Sequence, residues 1–304
     1  MTPSNPYVAR RPSRPAWIPI RGLRYHVHRW GSPEWITPDT PALVMLHGWM
    51  DVGASFQFVV DAMAVQRYVI APDWRGFGQS EAPRADSYWF PDYLGDLDTL
   101  LDHLLPDQAV DLLGHSMGGN VAMLYAGIRP QRVRRLVNLE GFGLPATRPT
   151  SAPKNYAAWL DELKTPQELR PYPSLEAVAQ RLRKNNPLLR PEFADWLAPH
   201  WARQREDGQW EILGDPAHKR RNPVLYQKDE VLACWAAIAA PVLWVEGDRT
   251  DVAKWWGDRY PRADFESRLQ VVKQLERRVL SPAGHMLHHD QPEALAAHLD
   301  AFLA

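Results

Sequence analysis

A serine stands between glycines in Gly114-His115-Ser116-Met117-Gly118, a G-x-S-x-G pattern. The apolar run 109–113 leads into it, and apolar residues at helical spacing follow: Met117, Val121, Leu124, Tyr125 and Ile128. A strand that becomes a helix this abruptly leaves no room for side chains at the flanking glycines. The strained turn then exposes the serine oxygen above the sheet edge, at the positive end of the helix. The plainer reading is a strand–helix turn that merely tolerates serine. The strand before and the helix after are the context the motif requires, and they favour a turn built to present Ser116 as a nucleophile.

Such a serine needs a scaffold. Continuous apolar runs ending in glycine or a polar residue recur at "ALVMLHG" (42–48), "RYVIAPDWRGFG" (67–78), "AVDLLGHSMGG" (109–119), "RVRRLVNLEG" (132–141) and "APVLWVEGD" (240–248), the look of buried strands. "RGLRYHVHRWG" (21–31) alternates enough for an early edge strand, and the tail carries Leu295, Leu299, Phe302 and Leu303 on one helical face. Strands alternating with helices predict an α/β fold, a mostly parallel, doubly wound sheet covered on both sides. Residues 141–240 break the alternation with amphipathic stretches such as "PSLEAVAQRLRKN" and "PEFADWLAPHWARQ", separated by prolines. The expected organisation is a polar, loosely held arm at 1–16, a core at 17–140 and 241–304, and a helical cap inserted at 141–240.

With these motifs in this order, the chain resembles the α/β-hydrolase superfamily over about residues 20–304, most nearly its serine hydrolase-like and carboxylesterase members. "LHGWMD" (46–51) looks like the His-Gly loop after the third strand, "PDWRGFGQS" (72–80) is similar to the D-x-R-G-x-G-x-S segment, and "SPAGHMLHHDQPEALAAHLDAFL" (281–303) matches a Gly-His loop followed by a Pro-Glu helix start. The resemblance implies that His285 is the general base. It also implies an oxyanion hole made by the backbone N–H groups of Trp49 and Met117. His47 reads as a buried histidine that hydrogen-bonds its loop, and Asp73 as a residue that fixes one. The glycines of 72–80 have the wrong spacing for a dinucleotide fingerprint. His288 and His289 lack the spacing of a metal site and read as helix-entry residues. No cofactor and no metal is expected.

The third member of the triad stays open. The family order is serine, acid, histidine, which Glu140, Asp248 and Asp251 all satisfy. Most relatives place the acid three residues past the glycine of the strand that here reads "PVLWVEG", and that position is Thr250. In other branches it ends the strand after the nucleophile helix, where Glu140 stands; Glu140 is the favoured candidate and Asp248 the second.

The resemblance then implies a serine hydrolase of carboxylic esters or related acyl bonds working through an acyl-enzyme. The same triad could cleave a carbon–carbon bond, a lactone or a thioester, and an idle ligand-binding homologue is the rival outside enzymes. A serine at the elbow speaks against the dehalogenase and epoxide hydrolase chemistries, whose enzymes carry aspartate there. Bulk composition narrows the field further. The 35 Lys+Arg against 36 Asp+Glu give a formal charge of −1, which suggests neither nucleic acid nor an electrostatic membrane anchor as a partner. One cysteine, Cys234, in an apolar helical context, cannot form an internal disulfide. No signal peptide or apolar span is evident, so a cytoplasmic protein is expected. "HKRRN" (218–222) reads as a solvated face. With 14 tryptophans in the chain, those of the insertion (Trp159, Trp196, Trp201, Trp210) could be core or pocket lining. If Trp159, Trp196 and Trp201 line the pocket, a small uncharged acyl substrate is expected.

Overall fold

The computed structural model describes residues 5–304. Ten strands run in chain order: β1 (Arg14–Ile20), β2 (Leu23–Trp30), β3 (Leu43–Leu46), β4 (Val69–Pro72), β5 (Val110–His115), β6 (Val133–Leu139), β7 (Ala202–Gln204), β8 (Trp210–Ile212), β9 (Val242–Gly247) and β10 (Leu275–Leu280). Eight of them form one sheet in the order β1-β2-β4-β3-β5-β6-β9-β10, while β7 and β8 pair as a separate hairpin. Every neighbouring pair from β4 to β10 is parallel, and β2 alone runs against the rest. The expected doubly wound sheet is present. The early strand at 21–31 is not the edge, because β1 pairs along the whole of β2 and takes that place.

Residues of β3, β5, β6 and β9 alternate between two apolar layers, as the two-residue period of a strand requires. Val44, Leu112, Leu136 and Trp244 face one cluster; Met45, Leu113, Val137 and Leu243 face the other. The first layer is covered by α2 (Pro91–Leu104), α3 (Met117–Ile128), α7 (Lys228–Ala237) and α9 (Arg262–Leu269), the second by α1 (Gln57–Ala62), α10 (Leu287–Asp290) and α11 (Pro292–Phe302). The remaining helices are α4 (Ala152–Leu163), α5 (Leu175–Asn185), α6 (Pro191–Trp201) and the short α8 (Ala253–Trp256).

Residues 141–240 hold the helices α4 to α7 and the β7–β8 hairpin, and they do not pack as one layer. A third apolar cluster joins Val178, Leu182, Phe193 and Leu197 of α5 and α6 to Phe58 of the core. Helix α7, by contrast, puts Trp235 and Ile238 into the main core beside α3, where Gly127 lets the Cys234 carbonyl approach. Cys234 is half-buried, and burial pushes its thiol pKa up, which suits packing and not nucleophilic attack.

The N-terminal arm also differs from expectation. Tyr7 stacks edge-on against Phe58, Phe193 and Trp196, and its hydroxyl donates to Asp61. The Arg10 and Arg11 N–H groups donate to the same carboxylate, each at 2.8 Å. A polar, Pro/Arg-rich composition hid one aromatic anchor and a buried acceptor elsewhere in the chain. No described helix is long and apolar enough to cross a membrane.

Candidate active site

Ser116 closes β5 and opens α3 at φ 52° and ψ −114°, a positive φ that an L-residue rarely adopts. The glycines around it are a steric necessity. A Cβ on Gly114 would overlap the Gly118 carbonyl, and one on Gly118 would overlap the Leu46 carbonyl of the neighbouring strand. Gly118→Ala is therefore expected to cost about 2–3 kcal/mol through overpacking against backbone that cannot yield. Urea denaturation checks this, and an unchanged midpoint would mean that the elbow can open.

His285 lies on the loop between β10 and α10. Its Nε2 is 3.0 Å from the Ser116 hydroxyl and its Nδ1 is 2.7 Å from Glu140 Oε2. Glu140 stands immediately after β6, itself at φ 56°, fully buried, with its other oxygen accepting the Gly247 N–H at 2.7 Å. Burial lowers His285 to about 4, so the imidazole is neutral at neutral pH. Burial pushes the Glu140 carboxyl upward while the Gly247 N–H pulls against it. Both Glu140 oxygens face donors, which suits the carboxylate form.

The aspartates lie elsewhere. Asp248 accepts from Ala283 N at 2.9 Å and the Ser281 hydroxyl at 2.7 Å, bracing the loop that carries His285 without touching its ring. Those two donors lower its pKa. Asp251 accepts from Ala253 N at the start of α8. Of the three carboxylates that the chain order allows, the structure brings Glu140 to His285.

The N–H groups of Trp49 and Met117 have no hydrogen-bond partner among the described residues. Met117 is the first residue of α3, where a helix leaves its N–H free. Trp49 shares a cavity wall with Ser116, and its side chain is 52% exposed, so it offers backbone and not packing. His47 holds this loop in place. Its Nε2 accepts the Trp74 N–H at 2.8 Å and its Nδ1 donates to the Gly48 carbonyl at 2.7 Å. Asp73 likewise gathers His26 Nδ1, Gly53 N and Gln79 N. Both residues do the structural work read from the sequence.

Two buried clusters could offer metal ligands: His26, His28 and Asp73, and Asp51, His115 and His288, each with its ligand atoms within 4.8 Å of one another. Asp73 is committed to the hydrogen bonds just described. In the second cluster, Asp51 Oδ2, His115 Nδ1 and both ring nitrogens of His288 lack a partner. His115 Nε2 donates to the His285 carbonyl at 2.8 Å, which fixes its tautomer and leaves the Nδ1 lone pair facing that cluster. Linear spacing around His288 and His289 gave no hint of it, because Asp51 comes from the loop after β3 and His115 from the end of β5. His288 and His289 belong to α10 and are buried.

A cavity of about 950 Å³ opens over Ser116 and His285. Trp201 is the one tryptophan of the insertion that lines it. Trp159 donates to the Ser87 hydroxyl at 2.9 Å, Trp196 packs on Tyr7, Phe58 and His200, and Trp210 pairs with Tyr172. Sequence reading did not single out Trp255, whose ring centroid stands 4.5 Å from that of His285, edge to face. Its place in the segment after β9, at the carboxyl edge of the sheet where ligands bind in open α/β folds, was the available signal. Lys219, Arg220 and Arg221 of the basic run bind the Glu168 carbonyl, the Asp86 carbonyl and the Glu162 carboxylate, so this face is used within the fold.

The sheet and the elbow define a hydrolase scaffold. The chain belongs to the alpha/beta hydrolase fold family, whose model matches residues 41–292. It is similar to a serine hydrolase-like protein of Danio rerio, 25% identical over 281 residues that cover 86% of this chain and 81% of that one. It is also similar to a 3-hydroxybutyrate-oligomer hydrolase of Cupriavidus necator, 32% identical over 240 residues, 74% of this chain and 78% of the relative. Among solved structures, the thioesterase domain from the curacin biosynthetic pathway superposes with a TM-score of 0.80 at 27% identity, over 94% of this chain and 99% of that domain.

Proposed function

We propose that this hydrolase cleaves carboxylic esters or closely related acyl bonds through an acyl-enzyme on Ser116. The observation that carries the reading is the unbroken hydrogen-bond chain from the Ser116 hydroxyl through His285 to Glu140. The Ser116 oxygen attacks the carbonyl carbon as its proton passes to His285 Nε2. Negative charge collects on the carbonyl oxygen, where the N–H groups of Trp49 and Met117 receive it. Collapse of that intermediate expels the alcohol, which takes the proton back from His285 and leaves the acyl group on Ser116. Water then attacks the acyl-enzyme, losing its proton to the same nitrogen, and the acid departs with Ser116 restored. Glu140 keeps the proton of His285 on Nδ1 and balances the imidazolium. In this reading the helices of 141–227 form the cap over the acyl site.

The oligoester-hydrolase relative supports an ester substrate, and the thioesterase neighbour makes a thioester the second reading. Both run through the same acyl-enzyme. A fluorophosphonate probe tests the nucleophile directly. The native protein is expected to gain one phosphonyl adduct on Ser116 by mass spectrometry, and Ser116→Ala to gain none while keeping its fold. Labelling that persists in the variant would move the nucleophile elsewhere; native protein that resists labelling would favour a ligand-binding homologue.

A further inference from the structure

The cavity over Ser116 also has a cationic lining. Arg170, Arg181, Lys184 and Lys219 line it, approaching from the loop before α5, from α5 itself and from the far side of the insertion. The carboxylate in the lining is Asp51, which is buried beside the catalytic loops and accepts from Val52 N and the Ser55 hydroxyl. Arg170, Arg181 and Lys184 have neither an ion-pair nor a hydrogen-bond partner among the described residues, and Lys219 reaches only the Glu168 carbonyl. Other arginines of the insertion do find carboxylates: Arg190 with Glu293, Arg203 with Glu211, Arg221 with Glu162. Lys184 lies in the last turn of α5, where a cation also suits the helix carbonyl end, so Arg181 and Arg170 are the discriminating residues.

The same lining holds apolar side chains, Val178, Leu182, Leu189, Trp201 and Ile212. A cavity that combines a reactive serine, apolar side chains and uncompensated cations suits a ligand with an acyl chain at one end and a negative charge at the other. We infer that the substrate of this site carries an anionic group, carboxylate or phosphate, remote from the scissile carbonyl, and that Arg170, Arg181 and Lys184 select for it. This departs from the uncharged substrate expected from the tryptophan-rich insertion, and it rests on the acyl-hydrolase reading above. Cations lining a partly closed cleft focus potential onto an incoming anion, and salt weakens the effect.

The test compares matched substrates. Mono-p-nitrophenyl esters of the diacids from adipic to sebacic acid are set against the corresponding ω-carboxamides, and acyl-coenzyme A against the same acyl group on N-acetylcysteamine. The expected result is a kcat/KM ratio of about ten or more in favour of the anion in one pair at low salt, shrinking at high ionic strength. Arg181→Glu with Lys184→Glu, and separately Arg170→Glu, should drive that ratio toward or below one. A variant that merely loses structure would lower both members together and leave the ratio intact. A preference in the diacid pair identifies a carboxylate, and one in the thioester pair a phosphate-bearing carrier. Equal rates in both pairs, or a preference that survives both charge reversals, would overturn the inference. Failure to turn over even neutral p-nitrophenyl butyrate in a Ser116-dependent way would instead remove the acyl-hydrolase reading on which it rests.

Discussion

Glu140→Gln is expected to lower kcat by about ten-thousand-fold with the fold intact, the scale on which removal of the acid disables a serine triad. The substitution keeps the size and planarity of the side chain but changes what His285 meets at Nδ1. As the structure stands, Glu140 Oε2 accepts the Nδ1 proton at 2.7 Å while Oε1 accepts from Gly247 N. An amide can offer its oxygen to only one of these donors. If that oxygen stays with Gly247, the NH₂ group faces His285, selects the tautomer protonated on Nε2 and removes the lone pair that should take the Ser116 proton. If the amide flips, His285 keeps its tautomer but the imidazolium formed during attack has lost its counter-charge, and the Gly247 N–H faces a donor. Both outcomes lower kcat more than substrate binding. Asp248→Asn should stay within a few-fold of native kcat, since Asp248 braces the 281–283 loop by two hydrogen bonds and does not touch the ring. Stopped assays with p-nitrophenyl butyrate on the two variants, with circular dichroism as the fold control, settle the comparison. A collapse in Asp248→Asn beside near-native Glu140→Gln would mean that the loop after β9 supplies the acid and that the observed pair is not the working one.

What could be read from the chain beforehand follows from how local each feature is. The elbow is local: two glycines, a serine, the strand before and the helix after lie within about twenty residues, and each constrains the others. The sheet was legible because buried parallel strands such as "ALVML" and "PVLWV" are continuous apolar runs whatever surrounds them. The acid was only half legible. Glu140 directly follows β6 as Asp248 directly follows β9, and position along the chain does not separate them until β6 and β9 are seen to lie side by side. The misreadings share one cause. Tyr7, Arg10 and Arg11 of the arm are held by Asp61, α7 is pulled to the core by α3, and Asp51, His115 and His288 converge from the loop after β3, the end of β5 and α10. Each depends on a partner distant in sequence, which neither composition nor periodicity records. The pocket wall is the same kind of case. Arg181 on an amphipathic helix looks like any solvated cation until the cavity beneath it is known.

Acid should unfold this protein well before the pH at which its carboxylates would ordinarily titrate. Eight histidines have lowered pKa values, all chiefly through burial: His28 and His285 to about 4, His115 and His218 to about 3, His288 and His289 well below the usual value, and His47 and His200 in the same direction. In the unfolded chain each takes up a proton near the ordinary value of about 6.5, whereas in the folded protein each stays neutral to lower pH. Between those values the unfolded state binds more protons, so stability falls with pH by about 1.4 kcal/mol per pH unit for each histidine. Burial works against the Asp73 carboxylate, but the hydrogen bond with His26 outweighs it and holds its pKa down, which adds to the loss at the acid end. Glu140, Asp111 and Asp290 act in the opposite sense, because their pKa values are raised by burial and the folded state binds their protons first. Three such groups cannot offset eight histidines. By pH 5 each of the four histidines lowered to about 3 or 4 has alone cost about 2 kcal/mol, the others act in the same direction, and the loss is comparable with the whole stability of an ordinary domain, about 5–15 kcal/mol. Thermal melts from pH 8 to pH 4 should therefore show Tm falling steeply below pH 6.5, with cooperative unfolding at room temperature by about pH 4.5. His218 is the probe residue, since it stacks between Phe77 and Tyr88 at centroid separations of 3.7 and 3.4 Å with no part in the triad. His218→Asn lowers stability at pH 8, yet it should reduce the slope of stability against pH by about one proton. A Tm that stays level from pH 7 to pH 4.5 would show that these imidazoles protonate as readily in the folded protein as in the unfolded chain.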